Sequence, residues 1–146
     1  VNSLYLQAAD LERLVRERFA RYAVIEEKEP MSESYMVDDA DYVVVAYGAS
    51  ARVAKAAVRE AREQGIKAGL IRPITLWPFP KQAMRDAVEH AKAFLCVEMS
   101  MGQMIDDVKL AIDCSRPVEF FGRTGGIIPT PAEVLENIKK LAGGEK

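Results

Sequence analysis

A continuous apolar run at residues 42–47, YVVVAY, constrains the fold of this 146-residue chain more than any other stretch. Its apolar residues do not alternate with polar ones, which predicts a strand that is covered on both faces. Gly48 then permits a tight turn, and Ser50 is a suitable N-cap for a helix over 51–64. The run therefore predicts the centre of a parallel sheet with helices on either side.

The same pattern of strand and helix continues to the end of the chain. A short edge strand is predicted at 34–37, and buried strands at 67–71, 93–98 and 118–121. Helices are predicted at 81–92, 100–113 and 131–141. The last of these has a capping signature, since Thr130 precedes Pro131 and Glu133. This alternation predicts an α/β fold with three layers, a sheet between two layers of helices.

Residues 3–28 predict one long amphipathic helix, which ends before Pro30. Its apolar stripe needs a cover, which could be the following domain, a preceding domain or another subunit. The chain begins at Val1 instead of Met, so we expect a piece of a longer protein. In this interpretation 1–30 is a linker helix from a missing preceding domain, and 31–146 is the folded domain.

Charge and rare residues exclude several kinds of function. The formal net charge is -2, which gives no electrostatic reason to expect nucleic acid or membrane as a partner. Cys96 and Cys114 lie in different predicted elements without metal-ligand spacing, so we expect reduced thiols and a cytoplasmic protein. A single histidine leaves little basis for a metal centre or a catalytic triad in this chain. We therefore predict no catalytic or metal-binding residue; the prediction that no residue binds a cofactor rests on the family resemblance given below.

One crevice is a candidate binding site. In open α/β sheets, ligands bind at the carboxyl ends of the strands where the strand order reverses, and we place this point between 42–47 and 93–98. Both following loops lead into a helix, and Ser100 with Gln103 forms a capping-box pattern. Ordinary capped turns are the alternative, and we favour them because neither glycine-rich nucleotide fingerprint is present. The candidate residues for a polar group or an anion are Gly48, Ser50, Ser100, Gly102 and Gln103.

A proline-stiffened loop at 73–80 is a candidate surface for contact with another subunit. It carries Trp77 and Phe79, which either anchor a partner or are buried in the domain. A second loop, 122–126, places Arg123 among glycines, where it either cradles a phosphate or is simply mobile. The candidate residues for the subunit contact are Arg72, Trp77, Phe79 and Arg123.

Four strings identify a family resemblance: ADYVVVAYGASARVAKAAV at 40–58, GIKAGLIRPITLWPFP at 65–80, VEMSMGQMIDDVKLAI at 97–112 and PVEFFGRTGGIIPTPAEV at 117–134. Together they closely resemble the C-terminal domain of the α subunit of 2-oxoacid:ferredoxin oxidoreductases. The strings do not decide between the 2-oxoglutarate type and the branched-chain, 2-ketoisovalerate type. The resemblance implies a transketolase C-terminal-like fold, with a mostly parallel five-stranded sheet in the order 1-3-2-4-5 and strand 1 antiparallel.

The resemblance also implies a reaction for the whole enzyme. The family oxidatively decarboxylates a 2-oxoacid to an acyl-CoA with thiamine diphosphate, magnesium and iron–sulfur clusters, and passes the electrons to ferredoxin. Thiamine diphosphate sits between the preceding domain and the β subunit, and no residue here matches a cofactor-binding motif. The implied role is therefore structural, in an oligomeric enzyme that includes a β subunit. The alternative is a regulatory α/β domain that binds a small molecule or an anion.

Overall fold

A computed structural model describes residues 4–143. The helices are α1 (Ala8–Lys28), α2 (Gly48–Glu63), α3 (Lys81–Val88), α4 (Met104–Ala111) and α5 (Pro131–Gly143). The strands are β1 (Ser32–Tyr35), β2 (Tyr42–Ala46), β3 (Ala68–Pro73), β4 (Ala93–Glu98) and β5 (Val118–Gly122). No helix among these residues is both long and apolar enough to cross a membrane.

The sheet has five strands in the order β1-β3-β2-β4-β5. β1 is antiparallel to β3 and the other pairs are parallel, so the predicted fold and strand order are confirmed. In β2, Val44 pairs with Leu70 on one side and Leu95 on the other. The strand order therefore reverses between β2 and β4, as the sequence predicts.

Successive side chains of β2 enter different cores, which explains why its apolar run does not alternate. Val43 and Val45 pack with Met84 of α3 and Val108 of α4. Val44 and Ala46 pack on the opposite face, against α2 and α5. The buried face of α2 is mostly alanine, and small side chains let this helix approach the sheet closely.

The connector between β1 and β2 is fixed by an arginine. Arg62 of α2 donates from Nε to the carbonyl of Ala68 at 2.6 Å and from Nη2 to the carbonyl of Met36 at 2.7 Å. Its guanidinium also pairs with Asp39, and it holds the pKa of that carboxyl below its usual value. Gly69 is required beneath this connector, because a Cβ there would lie 2.6 Å from the Met36 carbonyl oxygen.

The element boundaries differ from the predicted ones at the N-terminal half. α1 begins at Ala8, whereas the predicted start at residue 3 lies outside the described residues. β1 lies two residues earlier than predicted, since Met36 takes a positive φ of 54° and ends the strand. α2 begins at Gly48, so Ser50 lies inside its first turn and the prediction of Ser50 as N-cap is wrong.

Boundaries in the C-terminal half differ for local reasons. α3 ends at Val88, four residues before the predicted end. α4 begins at Met104 and ends at Ala111, shortly before Asp113 and Cys114, which take positive φ values of 51° and 52°. α5 extends to Gly143, two residues beyond the predicted end.

α1 lies apart from the two cores, since none of its residues is buried. Near its C-terminal end, Tyr22 packs edge-on against Trp77 with ring centroids 5.2 Å apart. Leu11, Val15 and Phe19 are exposed, so the apolar stripe that the sequence predicts remains uncovered in the described part of the chain.

Candidate functional site

The two loops of the predicted crevice lie side by side at the carboxyl edge of the sheet. β2 and β4 are neighbouring parallel strands in register up to Ala46 and Val97, so the loops that follow them leave the same edge. Gly48 turns the first loop with a φ of 56°, and the second loop passes through Gly102 with a φ of 104°. The structure therefore brings the five candidate crevice residues to one edge.

The second loop contains a buried carboxylate that the sequence analysis missed. Glu98, the last residue of β4, is completely buried. Its Oε2 accepts backbone N–H groups of Gln103 at 3.1 Å and Met104 at 3.0 Å, and its Oε1 accepts that of Ile105 at 3.1 Å. Glu98 therefore occupies the position at the N-terminus of α4 where helices bind anions.

The predicted capping box between Ser100 and Gln103 is not formed, and this prediction is wrong. Ser100 Oγ donates to Glu98 Oε2 at 3.1 Å and accepts the N–H of Gly102 at 3.0 Å. Gln103 is itself the N-cap residue and makes no side-chain cap. A signal was present in the sequence, since a glutamate ending an apolar, buried strand requires hydrogen-bond donors nearby.

The electrostatics of this edge disfavour a second anion. Partial burial raises the pKa of Asp107, and the neighbouring charges of Asp106 and Glu98 raise it further. Burial also raises the pKa of the Cys96 thiol, with Glu98 acting in the same direction. An external phosphate or carboxylate would therefore enter a negative field and compete with Glu98 for the same amides.

The diphosphate of thiamine diphosphate does not fit at this position, because a buried carboxylate already accepts the three backbone N–H groups at the N-terminal end of α4, those of Gln103, Met104 and Ile105. Over residues 4–143, moreover, no three His, Cys, Asp or Glu side chains are grouped to hold a metal ion. The chemistry available at this edge is hydrogen bonding that joins β4 to α4.

The predicted contact loop exposes one of its two aromatic side chains. Trp77 is 55% exposed, whereas Phe79 is only 8% exposed and packs in the core with Met84. Phe79 is therefore a core residue and is not available to a partner, which corrects the sequence interpretation. Thr75 Oγ1 donates to the Pro78 carbonyl at 2.8 Å, and the Trp77–Pro78 peptide bond is cis.

Arg72 and Arg123, the other two candidate contact residues, lie far apart. Arg72 is in β3 and pairs with Glu33 at 3.0 Å, whereas Arg123 follows β5 and pairs with Glu133. β2 and β4 lie between those strands, so the four candidate residues do not form one surface. Glu133 also accepts the N–H of Thr130 at 2.9 Å, which confirms the capping box of α5 and ties Arg123 to that helix.

The family of this chain is identified from the sequence of its folded core. Residues 40–134 match the family described as pyruvate:ferredoxin oxidoreductase core domain II. The chain belongs to this family. A core domain II assignment confirms the resemblance found from the sequence, because this family is part of the 2-oxoacid:ferredoxin oxidoreductases.

Two curated relatives are similar well beyond chance. Ketoisovalerate oxidoreductase subunit VorB of Methanothermobacter marburgensis is 47% identical over 143 residues, which cover 98% of this chain and 40% of that protein. 2-oxoglutarate synthase subunit KorA of the same organism is 42% identical over 101 residues, which cover 69% of this chain and 27% of that protein. This core domain II chain thus spans less than half the length of the curated relatives it matches.

Solved structures show the same fold at low sequence identity. A 2-oxoglutarate:ferredoxin oxidoreductase from Magnetococcus marinus, solved with 2-oxoglutarate, coenzyme A and succinyl-CoA bound, matches 93% of this chain with a TM-score of 0.75 and 20% identity. The match covers 24% of that chain. An inactive split-gene transketolase matches 75% of this chain and 40% of its own, with a TM-score of 0.62 and 16% identity. The transketolase-like fold is therefore confirmed.

Proposed function

We propose that these residues form the C-terminal domain of the α subunit of a 2-oxoacid:ferredoxin oxidoreductase of the branched-chain, 2-ketoisovalerate type. One observation carries the proposal: the match to the ketoisovalerate subunit extends over 98% of the chain at 47% identity. The match to the 2-oxoglutarate subunit covers 69% of the chain at 42% identity, which supports the branched-chain type over the 2-oxoglutarate type. The enzyme converts a 2-oxoacid and coenzyme A to an acyl-CoA and reduces ferredoxin.

Within that enzyme, the role of this domain is to shape and assemble the complex. Thiamine diphosphate, magnesium and the iron–sulfur clusters are held by other parts of the cytoplasmic enzyme. The hydrogen bonds of Glu98 support this assignment of the cofactors to other parts of the enzyme, because the backbone N–H groups that would bind a phosphate already donate to Glu98. Ferredoxin contacts the enzyme elsewhere, so it is only an indirect partner of this domain.

The carboxyl edge of the sheet is the proposed contact surface for other subunits of the enzyme, among them the β subunit. Met101 is 84% exposed there, and Ile127 and Ile128 of the next loop are also exposed. Methionine and isoleucine side chains at a loop edge form adaptable apolar contacts. Residues 1–30 are proposed as the link to a preceding domain, and 31–146 as the folded unit. The core supports this boundary, since its first buried apolar residue is Val37.

The activity is tested on the assembled enzyme. Reduction of ferredoxin is measured with coenzyme A and either 2-ketoisovalerate or 2-oxoglutarate as substrate. We expect the branched-chain substrate to give the larger kcat/KM. A preference for 2-oxoglutarate would contradict the subtype, and no reaction with any 2-oxoacid would contradict the proposed activity.

The structural role is tested on the 146-residue chain alone. Thiamine diphosphate, coenzyme A and 2-ketoisovalerate should each leave its melting temperature unchanged and give no turnover. Inorganic phosphate serves as the anion control. A saturable rise in melting temperature with coenzyme A or phosphate would favour the alternative, a regulatory domain that binds an anion.

A further inference from the structure

One side of α1 presents a continuous apolar surface to solvent. The α1 face consists of Leu11, Leu14, Val15, Phe19 and Tyr22, and Phe19 is 64% exposed. The opposite side carries charges that are paired within the helix, such as Arg13 with Glu17 at 2.9 Å. The helix is therefore amphipathic, and its polar side has internal partners while its apolar side is uncovered.

The α1 face extends onto the body of the domain through aromatic rings. Phe19 and Tyr22 have ring centroids 5.8 Å apart, and Tyr22 contacts Trp77 at 5.2 Å. A groove of about 500 Å³ follows these rings, between α1 and Trp77. Clusters of exposed aromatic side chains are characteristic centres of protein interfaces.

A helix with an exposed apolar side requires another surface to pack against. α1 has 21 residues and none is buried, yet most helix stability in proteins comes from packing of an apolar face. The exposed side chains of α1 are also continuous with Trp77 through Tyr22, unlike the singly scattered apolar residues of an ordinary monomer surface.

The relatives indicate what covers it. The match to the ketoisovalerate subunit omits only three residues of this chain, so that relative contains a counterpart of α1. About three fifths of that relative lies outside the match, since the match covers 40% of it. A segment on the same polypeptide is present at an effective concentration in the millimolar range when the linker is short, which favours it over a separate molecule.

We propose that the α1 face and Trp77 pack against the part of the same subunit that lies outside these 146 residues. This inference rests on the proposed function, because it takes the chain to be one domain of a longer α subunit. The contact fixes how this domain is oriented in the subunit before any other subunit binds. It also assigns Trp77 to a contact between domains instead of the contact with another subunit that the sequence predicts.

Limited trypsin digestion of the full-length α subunit tests the proposal. α1 carries five trypsin sites, at Arg13, Arg16, Arg18, Arg21 and Lys28. We expect slow cleavage of α1 in the isolated subunit, at a rate that does not depend on protein concentration. The double variant Val15→Ser and Phe19→Ser should raise the initial cleavage rate at least about tenfold, the size expected when central apolar interface residues are lost.

Matched variants separate packing from helix stability. Val, Phe and Ser have similar helix propensities, so the double variant changes the apolar face with little effect on the helix itself. Ala20→Ser on the opposite side lowers helix propensity more and should leave the cleavage rate unchanged. Trp77→Ala lies outside α1 and should also raise cleavage of α1. Cys96, which is buried, must remain unreactive toward iodoacetamide in every variant, which shows that the domain is folded.

Each alternative occupant predicts a different result. Protection that appears only at high concentration would identify a second copy of the subunit. Protection that appears only after the β subunit is added would identify that subunit, and rapid cleavage in the assembled enzyme would show that nothing covers α1. Any of these three results overturns the proposal. Absence of 2-oxoacid activity would contradict the proposed function but would leave the digestion result intact.

Discussion

Met104 donates its backbone N–H to the buried carboxylate of Glu98 at 3.0 Å, across a loop that separates a strand from the next helix. The carboxylate thus replaces the serine or threonine cap that usually precedes a helix. The amides of Gln103 and Ile105 share it, so the end of β4 and the start of α4 are joined by one charged group.

Replacement of Glu98 by glutamine should destabilise the chain by about 3 kcal/mol, because the amide side chain loses charge-assisted bonds and places its own donors against backbone donors. Urea denaturation of the 146-residue chain measures the difference. Glu119→Gln on the exposed surface of β5 is the matched control and should change the free energy of unfolding by less than about 0.5 kcal/mol. Equal effects of the two substitutions would show that Glu98 is not a cap.

Arg62→Lys should destabilise the chain by about 2 kcal/mol, since a lysine ammonium cannot reach the carbonyls of Ala68 and Met36 together with Asp39. The loss should be concentrated in the connector 36–41, where amide hydrogen exchange should become faster. Arg59→Lys, at an exposed position of the same helix, is the control. Unchanged amide hydrogen exchange in the connector would show that Arg62 does not hold it in place.

The two cysteines should differ in reactivity. Cys96 is buried with a raised thiol pKa, whereas Cys114 is exposed, so iodoacetamide at pH 8 should modify only Cys114 in the native chain. In urea both residues should react. Peptide mass mapping identifies the modified cysteine, and rapid modification of Cys96 without urea would contradict its burial.

The raised pKa of Cys96 also predicts how stability depends on alkaline pH. The folded state keeps the thiol proton above the ordinary pKa of 9.0, where the unfolded chain releases it. The contribution of the protonated Cys96 thiol to the free energy of unfolding is therefore fully present below pH 9.0, and it is lost as the pH rises above that value. Cys96→Ala should be less stable than the natural chain at pH 7 but should lose less stability between pH 7 and pH 10.

Asp107→Asn should stabilise the chain slightly at neutral pH, by about 0.5 kcal/mol or less. The pKa of Asp107 is raised in the folded state, so folding disfavours its ionised form. The protein is therefore more stable below the usual pKa of an aspartate, and this extra stability is lost as the pH increases. At pH 3 both states hold the proton and the difference should vanish. Asp38→Asn in the exposed connector is the control, and thermal unfolding at the two pH values checks the sign.

The sequence predicts the sheet well because its strands carry unambiguous information. The apolar run of β2 requires cover on both faces, and the βαβ pattern requires parallel strands on either side of it. The position of β1 is less predictable, because Ser32–Tyr35 is short and polar and ends where Met36 takes a positive φ. The positive φ of Met36 depends on the hydrogen bond that Arg62 donates to the Met36 carbonyl, and Arg62 is distant in the sequence.

The candidate site is predicted less well, and for a related reason. Ser100 and Gln103 match a local capping pattern, but Glu98 is a stronger acceptor that reaches the same amides from the strand. Local spacing contains no information about this competition. Likewise, neighbouring aromatic residues in a proline-rich loop look equivalent in sequence, and only the path of the loop decides that Phe79 is buried and Trp77 exposed.

The polar edge strand β1 has a consequence for how the protein associates. Its four residues include the exposed Glu33 and Ser34, and it forms one end of the sheet. Short edge strands with charged side chains resist pairing with a strand of another molecule, which is the common route to sheet-to-sheet aggregation. At this end of the sheet, the strands of two copies of the domain therefore cannot readily pair into one continuous sheet.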